Sequence, residues 1–167
     1  MKYFAYGSNM SFSRLKSRVP SAQRLGMFCL KKHKLMFHKI SKDGSGKCDA
    51  FFTGDAKDYI LGALFEIDEK EKKHLDNIEG LGYGYAEKSI QVEDEIGNIF
   101  DAVTYVATNI DSKLNPYSWY LNHVLIGARE IGVSELYLDS IQSIKTIEDP
   151  NKERDSEQRK MYCKPVS

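Results

Sequence analysis

The chain has 167 residues, 41% of them hydrophobic, which suits one domain with a real core. Its 24 basic and 24 acidic residues balance, so no net charge draws it to nucleic acid or to an anionic membrane surface. No apolar run approaches the ~20 residues of a membrane-spanning helix. The opening segment MKYFAYGSNM, short in apolar residues and rich in Tyr, Gly and Asn, does not read as a signal peptide.

Lys2–Tyr6 is apolar and aromatic and reads as a strand that ends in the turn-forming Gly7-Ser8-Asn9. Ser11–Val19 has helical spacing at Phe12 and Leu15, with Pro20 just past its end. Leu25–Ile40 is β-prone, and Asp43-Gly44-Ser45-Gly46 reads as a turn. Ala50–Thr53 and Tyr59–Ile67 are further strands. Asp68 then caps a helix with Glu69 and Glu71 in its first turn. That helix runs to about Ile78 and stops at Gly80, with Leu75 and Ile78 toward the core. Tyr85–Glu93 and Ile99–Ala107 pair across a turn at Gly97-Asn98. Pro116 marks the start of a helix carrying Tyr117, Tyr120, Val124, Leu125, Ala128 and Ile131, closed by Gly132. Ser134 caps a last helix with Leu136, Leu138, Ile141 and Ile144. Residues 149–167 are charged and read as a loosely packed tail behind a domain spanning 1–148. Strands do not alternate regularly with helices, so the class is α+β.

Two segments have the chemistry of a site. After the first strand, Gly7 lets the chain turn sharply and lets a ligand come close. The backbone N–H groups of Ser8, Asn9 and Met10 then lie near a helix start, where unpaired donors favour anions such as carboxylates. In Leu75-Asp76-Asn77-Ile78-Glu79-Gly80 the carboxylate of Glu79 falls at a helix end. The negative pole of the helix dipole there disfavours its charged form and suits it to accepting and returning a proton. Asp76 is the rival carboxylate. Tyr83, Tyr85, Tyr105, Tyr117 and Tyr120 suit either a pocket wall or a core edge. His33, His38, His74 and His123 lack metal-ligand spacing. Cys29, Cys48 and Cys163 are odd in number and form no CxxC pair, which points to a reducing, cytoplasmic setting without zinc or disulfides. No P-loop or GxGxxG is present.

Taken together, Tyr3-Phe4-Ala5-Tyr6-Gly7-Ser8-Asn9-Met10, Leu61-Gly62-Ala63-Leu64-Phe65-Glu66-Ile67, the LDxxEG run from Leu75 to Gly80, and Tyr120 seven residues before Gly127-Ala128 resemble the γ-glutamylcyclotransferase (AIG2-like) family. The order of these landmarks spans roughly residues 3 to 145. The resemblance implies a small mixed β-barrel flanked by helices with a pocket at its mouth. It implies Glu79 as the catalytic acid/base, and Tyr3, Phe4, Ala5, Tyr6, Gly7, Ser8, Asn9 and Tyr120 around the substrate. The expected partner is a small γ-glutamyl amide that cyclises to 5-oxoproline, with no cofactor or metal, no nucleic acid and no membrane. The leaving group stays open between an amino acid, another amine and a protected biosynthetic intermediate. A non-catalytic binding module is the reading from another class. Oligomeric state is not legible in the sequence.

Overall fold

A computed structural model describes residues 1–163. Five strands close a mixed barrel in the order β1 (Lys2–Ala5), β5 (Tyr59–Glu66), β2 (Gln23–Lys31), β6 (Tyr85–Glu93) and β7 (Ile99–Ala107). β1 lies antiparallel to β5, with Phe4 opposite Leu64, and parallel to β7, with Tyr3 opposite Val103. Thr104 Oγ1 donates to the Phe4 carbonyl at 2.8 Å and ties the parallel pair. β2 meets β6 at Cys29 and Glu93, which closes the ring. The second half of β6 alternates, burying Ile90 and Val92 between the more exposed Ser89, Gln91 and Glu93, as a half-buried strand does. β3 (His33–Ile40) and β4 (Gly46–Phe52) form a hairpin outside the barrel. It docks on β7 where Ala107 N–H donates to Asp49 Oδ1 at 2.7 Å.

The core is the barrel interior and the helices beside it, with Phe4, Phe65, Leu64, Ile60 and Val92 almost fully enclosed. At this packing density a single added methyl is felt. A Cβ at Gly62 would fall 2.6 Å from both the Ala5 carbonyl oxygen and the Phe4 ring, so β1 and β5 approach this closely only around glycine.

The helices are α1 (Phe12–Arg18), α2 (Glu69–Glu79), α3 (Ser118–Glu130), α4 (Glu135–Gln142) and α5 (Lys152–Lys160). Ser11, Asp68 and Ser134 cap the first, second and fourth through side-chain oxygens. Gly80 ends α2 in the left-handed region (φ 72°), as a C′ glycine does. Leu75 is fully buried and Ile78 only partly. No described helix is long and apolar enough to cross a membrane.

Predicted and observed elements correspond from β1 through α4, except that the β-prone run Leu25–Ile40 is broken at Lys32 (φ 63°) into β2 and β3, and that β4 begins at Gly46, inside the predicted turn, rather than at Ala50. The larger departure is the C-terminal segment, which the sequence presents as a loose tail from residue 149. Within the described part, 149–163, it is helical and docked. The Asp149 carboxylate is fully enclosed, accepting from Trp119 Nε1 at 2.8 Å, Asn151 N–H at 2.8 Å and Arg154 Nε at 2.6 Å. Beyond it, Arg159 Nη2 donates to Ser118 Oγ at 2.7 Å, and Tyr162 OH donates to Ser11 Oγ at 3.0 Å. Polar bonds hold this helix, and it has no apolar stripe for periodicity to reveal. Residues 164–167 of that segment lie outside the described part.

Candidate active site

β1 ends at Ala5, and the chain runs through Tyr6 and Gly7 into a short 3-10 turn, Ser8–Met10, before α1. α3 pins this turn from behind. A Cβ at Gly127 would stand 2.4 Å from Met10 Cβ and 2.5 Å from Ser11 N, so the helix presses on the turn only because that residue has no side chain. The turn is thereby held against the C-terminal end of α2, and a half-enclosed cleft opens between them at the barrel mouth.

Tyr3, Tyr6, Gly7, Ser8 and Asn9 line the cleft from the β1 side. Glu79, Tyr85, Tyr105 and Tyr120 line it from other elements, and Cys48 completes the wall. The sequence-predicted Tyr3, Tyr6, Gly7, Ser8, Asn9, Glu79 and Tyr120 therefore converge. Phe4 and Ala5 do not reach the cleft. They are 0% and 1% exposed within the barrel, and the Phe4 ring packs on Gly62, so both are core residues. Tyr83 is 91% exposed and does not line the cleft, and Tyr117 is buried elsewhere, its hydroxyl donating to the Asp43 carbonyl.

Among the described residues Glu79 is the only acid on the cleft wall. Asn9 Nδ2 donates to its Oε1 at 2.7 Å and also reaches the Tyr3 hydroxyl at 3.2 Å. Arg18 Nη1 donates to Asn9 Oδ1 at 3.1 Å and stands 3.7 Å from the same Glu79 oxygen. A single asparagine thus orients both the carboxylate and the guanidinium. Asp76, the rival carboxylate, is spent elsewhere: it accepts from Tyr105 OH at 2.6 Å and pairs with Lys72.

Met10 N–H is also spent, on the Gly7 carbonyl at 3.0 Å. Of the three donors expected at this turn, the N–H groups of Ser8 and Asn9 are the two without a partner among the described residues. Unpaired buried donors are rare and mark a place for a ligand or water. Gly7 also differs from its sequence reading. The space of its missing side chain is filled by the protein, since a Cβ there would stand 2.9 Å from Cys48 Cβ.

Burial keeps the other groups neutral. It pushes the Cys48 thiol up to about 12, so no thiolate nucleophile exists here at neutral pH. Burial, and then the Glu79 charge, raise Tyr3, while burial and then Cys48 raise Tyr120. Their hydroxyls remain protonated donors. Arg18 beside Glu79, Cys48 in the wall and Lys39 beside Tyr85 are neighbours that sequence patterns did not flag. The last two belong to the outer hairpin, which docks on β7. Among the described residues no group of three His, Cys, Asp or Glu could hold a metal ion.

A closed barrel with one carboxylate, phenolic donors and two unpaired backbone donors at its mouth is the build of an acid–base site for a small anionic ligand. The AIG2-like family profile matches residues 59–141, which contain Glu79 and Tyr120. A γ-glutamylcyclotransferase from Mus musculus is 29% identical over 148 residues, 86% of this chain and 78% of the relative. A solved γ-glutamyl cyclotransferase structure superposes with a TM-score of 0.84 at 25% identity, covering 95% of this chain and 98% of that one. An uncharacterized Homo sapiens protein of known crystal structure also gives 0.84, at 26% identity, covering 93% and 95% of the two chains. In profile, sequence and fold the chain is similar to the γ-glutamylcyclotransferase, or AIG2-like, family.

Proposed function

We propose that this protein releases 5-oxoproline from a γ-glutamyl amide, with Glu79 as the proton-transferring group. The observation that carries the reading is that the carboxylate of Glu79 lines one cleft with Ser8 and Asn9, whose backbone N–H groups have no partner among the described residues. The N–H groups of Ser8 and Asn9 hold the substrate's α-carboxylate, an anion at a cradle of main-chain donors. Anchored there, the glutamyl chain folds back so that its α-nitrogen approaches its own γ-carbonyl. This converts the attack into an intramolecular one.

The α-nitrogen enters as an ammonium and cannot attack. Glu79 takes a proton, the freed lone pair forms the new C–N bond, and the γ-carbonyl oxygen becomes negative. Tyr120, whose hydroxyl accepts from Cys48 N–H at 3.1 Å, donates its own proton toward that oxygen. Glu79 then returns a proton to the departing nitrogen as the amide C–N bond breaks. In net terms two protons leave the α-nitrogen and two end on the amine. The reaction is internally redox-neutral. Asn9 keeps the Glu79 carboxylate aimed throughout. The three cysteines are free thiols, which suits a reducing compartment, and we assign the activity to the cytoplasm.

Glu79→Gln preserves the Asn9 contact geometry but cannot shuttle a proton. Release of 5-oxoproline from a panel of γ-glutamyl amides, followed by mass spectrometry, is expected to fall by ~10²–10⁴-fold in this variant with its circular dichroism unchanged. Near-normal turnover by the Gln variant would remove Glu79 from the mechanism.

A further inference from the structure

The hairpin outside the barrel lays two cations over rings of the cleft wall, Lys47 over Tyr120, which is paired with Asp43, and Lys39 over Tyr85. Lys39, near the end of β3, lays its ammonium over the Tyr85 ring, 4.7 Å from the centroid. Tyr85 is a cleft wall residue whose hydroxyl is directed inward to the Cys48 carbonyl at 2.6 Å. The same ammonium covers Gly84, where an added Cβ would stand 2.8 Å from Nζ. Among the described residues no carboxylate lies within 4.0 Å of Lys39 Nζ. The neighbouring charges are already committed. Asp43 is bound by Lys47 and Ser45, and Glu79 by Asn9 and Arg18. Lys42 is a like charge in the vicinity.

Partial burial lowers the Lys39 pKa from its ordinary range, with Glu79 and Asp43 opposing that shift from a distance. A half-buried ammonium with an aromatic face beneath it and no anion beside it is a receptor for one. The cleft therefore offers two separate anion partners. The Ser8 and Asn9 donors lie deep, in residues 9% and 4% exposed, while the partly buried Lys39 stands over the ring of Tyr85 in the cleft wall. A γ-glutamyl amino acid or peptide carries two carboxylates, one on the glutamyl α-carbon and one on the departing side. A γ-glutamyl alkylamine has only the first, and a polyamine would bring a second cation against Lys39.

We propose that Lys39 holds a carboxylate on the departing amine and thereby selects amino acids or peptides over simple amines as leaving groups. The inference rests on the cyclotransferase reading and adds the residue that discriminates between its substrate classes.

The test compares γ-glutamyl-L-alanine with γ-glutamylethylamide, which lacks only the second carboxylate and its carbon branch. Wild type, Lys39→Met, Lys39→Arg and Gly84→Ala are assayed for 5-oxoproline release. Met keeps the length over Tyr85 and removes the charge. The kcat/KM preference for the alanine substrate is expected to collapse by ~10–100-fold in Lys39→Met, chiefly through KM, the worth of one charge-assisted bond. Arg should restore most of it. Gly84→Ala leaves Lys39 chemically intact and displaces only its flexible head, so a smaller loss of the same preference, ~3–10-fold, is expected. Equal losses on both substrates would place Lys39 on the common glutamyl part and overturn the proposal. An unchanged preference would do so as well. If wild type turned over neither substrate, the cyclotransferase reading itself would fail. Calorimetric binding of the same two compounds to wild type and Lys39→Met would then still decide whether Lys39 reads the second carboxylate.

Discussion

Two regions of this molecule bury charged and polar groups, and they differ in whether the protein satisfies them. At the joint between α3 and α5, His123, Arg14, Gln158, Tyr162 and Ser11 share their bonds. The His123 ring lies 3.2 Å from Arg14 Nη1, 2.9 Å from Gln158 Oε1 and 2.5 Å from Tyr162 OH. Asp149 is likewise filled with donors. Only Arg14 Nε lacks a partner there among the described residues. At the cleft the backbone donors of Ser8 and Asn9 stand open, and Lys39 faces no carboxylate within 4.0 Å. Buried polarity alone does not mark a functional site, since most of it is structural. Polarity that the fold leaves unmatched, beside a group able to move a proton, does. The following variants break or sharpen that contrast.

The largest effect is expected from Gly7→Ala, which adds one methyl to the cleft side. That Cβ would have to share space with Cys48, whose Cβ and Sγ would lie at 2.9 and 3.2 Å. Either the hairpin retreats or the turn carrying the Ser8 and Asn9 donors shifts. A displacement of this order in a positioning element is worth ~10²-fold in rate. We expect kcat/KM for 5-oxoproline release to drop by about that factor while far-UV circular dichroism holds. Full turnover by Gly7→Ala would mean that the donors need not sit where the structure puts them.

The same contrast explains what was legible in the sequence. The β6–β7 hairpin is predicted to the residue because both strands alternate in polarity around a Gly97-Asn98 turn. α2 is equally plain, since Asp68 and Gly80 punctuate it at both ends. Gly7-Ser8-Asn9 and Glu79 stand out in the sequence because each lies in a short contiguous motif. Cys48 in the cleft wall and Lys39 over Tyr85 do not, because their positions depend on how an outer hairpin docks, a contact no local pattern encodes. Phe4 and Ala5 go the other way: the family resemblance implies a place around the substrate, and strand packing makes them core. α5 escaped notice because its bonds are polar and long-range, as from Tyr162 to Ser11.

At the satisfied joint, removing one partner should unfold rather than inactivate. Asp149→Ala leaves Trp119 Nε1–H, the Asn151 N–H and the Arg154 guanidinium without their acceptor. Orphaned buried donors cost ~1–3 kcal/mol, so a loss of about 2 kcal/mol and a Tm lower by ~4–8 °C are expected by calorimetry. The hydrogen bonds from Arg154 hold the Asp149 carboxyl well below the usual carboxylate range. Its contribution is therefore complete above the unfolded value of ~3.9 and is lost as pH falls below that. A Tm within a degree of wild type would mean that α5 is held by something other than this carboxylate.

The smallest effect is a slope. Burial first, and then the Arg14 charge, push the His123 imidazole down to about 3, so the folded protein keeps it neutral. In the unfolded chain the same ring takes a proton near its ordinary value of ~6.5. Below that pH the unfolded state binds a proton that the folded state refuses, so stability declines as pH drops from ~6.5 toward 3. One such group supplies at most ~1.4 kcal/mol per pH unit, and between pH 6.5 and 5 the ordinary carboxylates barely contribute. His33, also lowered chiefly by burial, adds a component of the same sign. Urea midpoints measured at pH 7 and pH 5 should therefore fall in wild type and fall less in His123→Gln, which offers the joint an amide that cannot be protonated. If the two proteins lost stability in parallel, the joint would be accepting the extra charge, as only a region with unfilled hydrogen-bonding capacity can. The distinction between a closed polar network under α5 and an open one at the barrel mouth would then not hold.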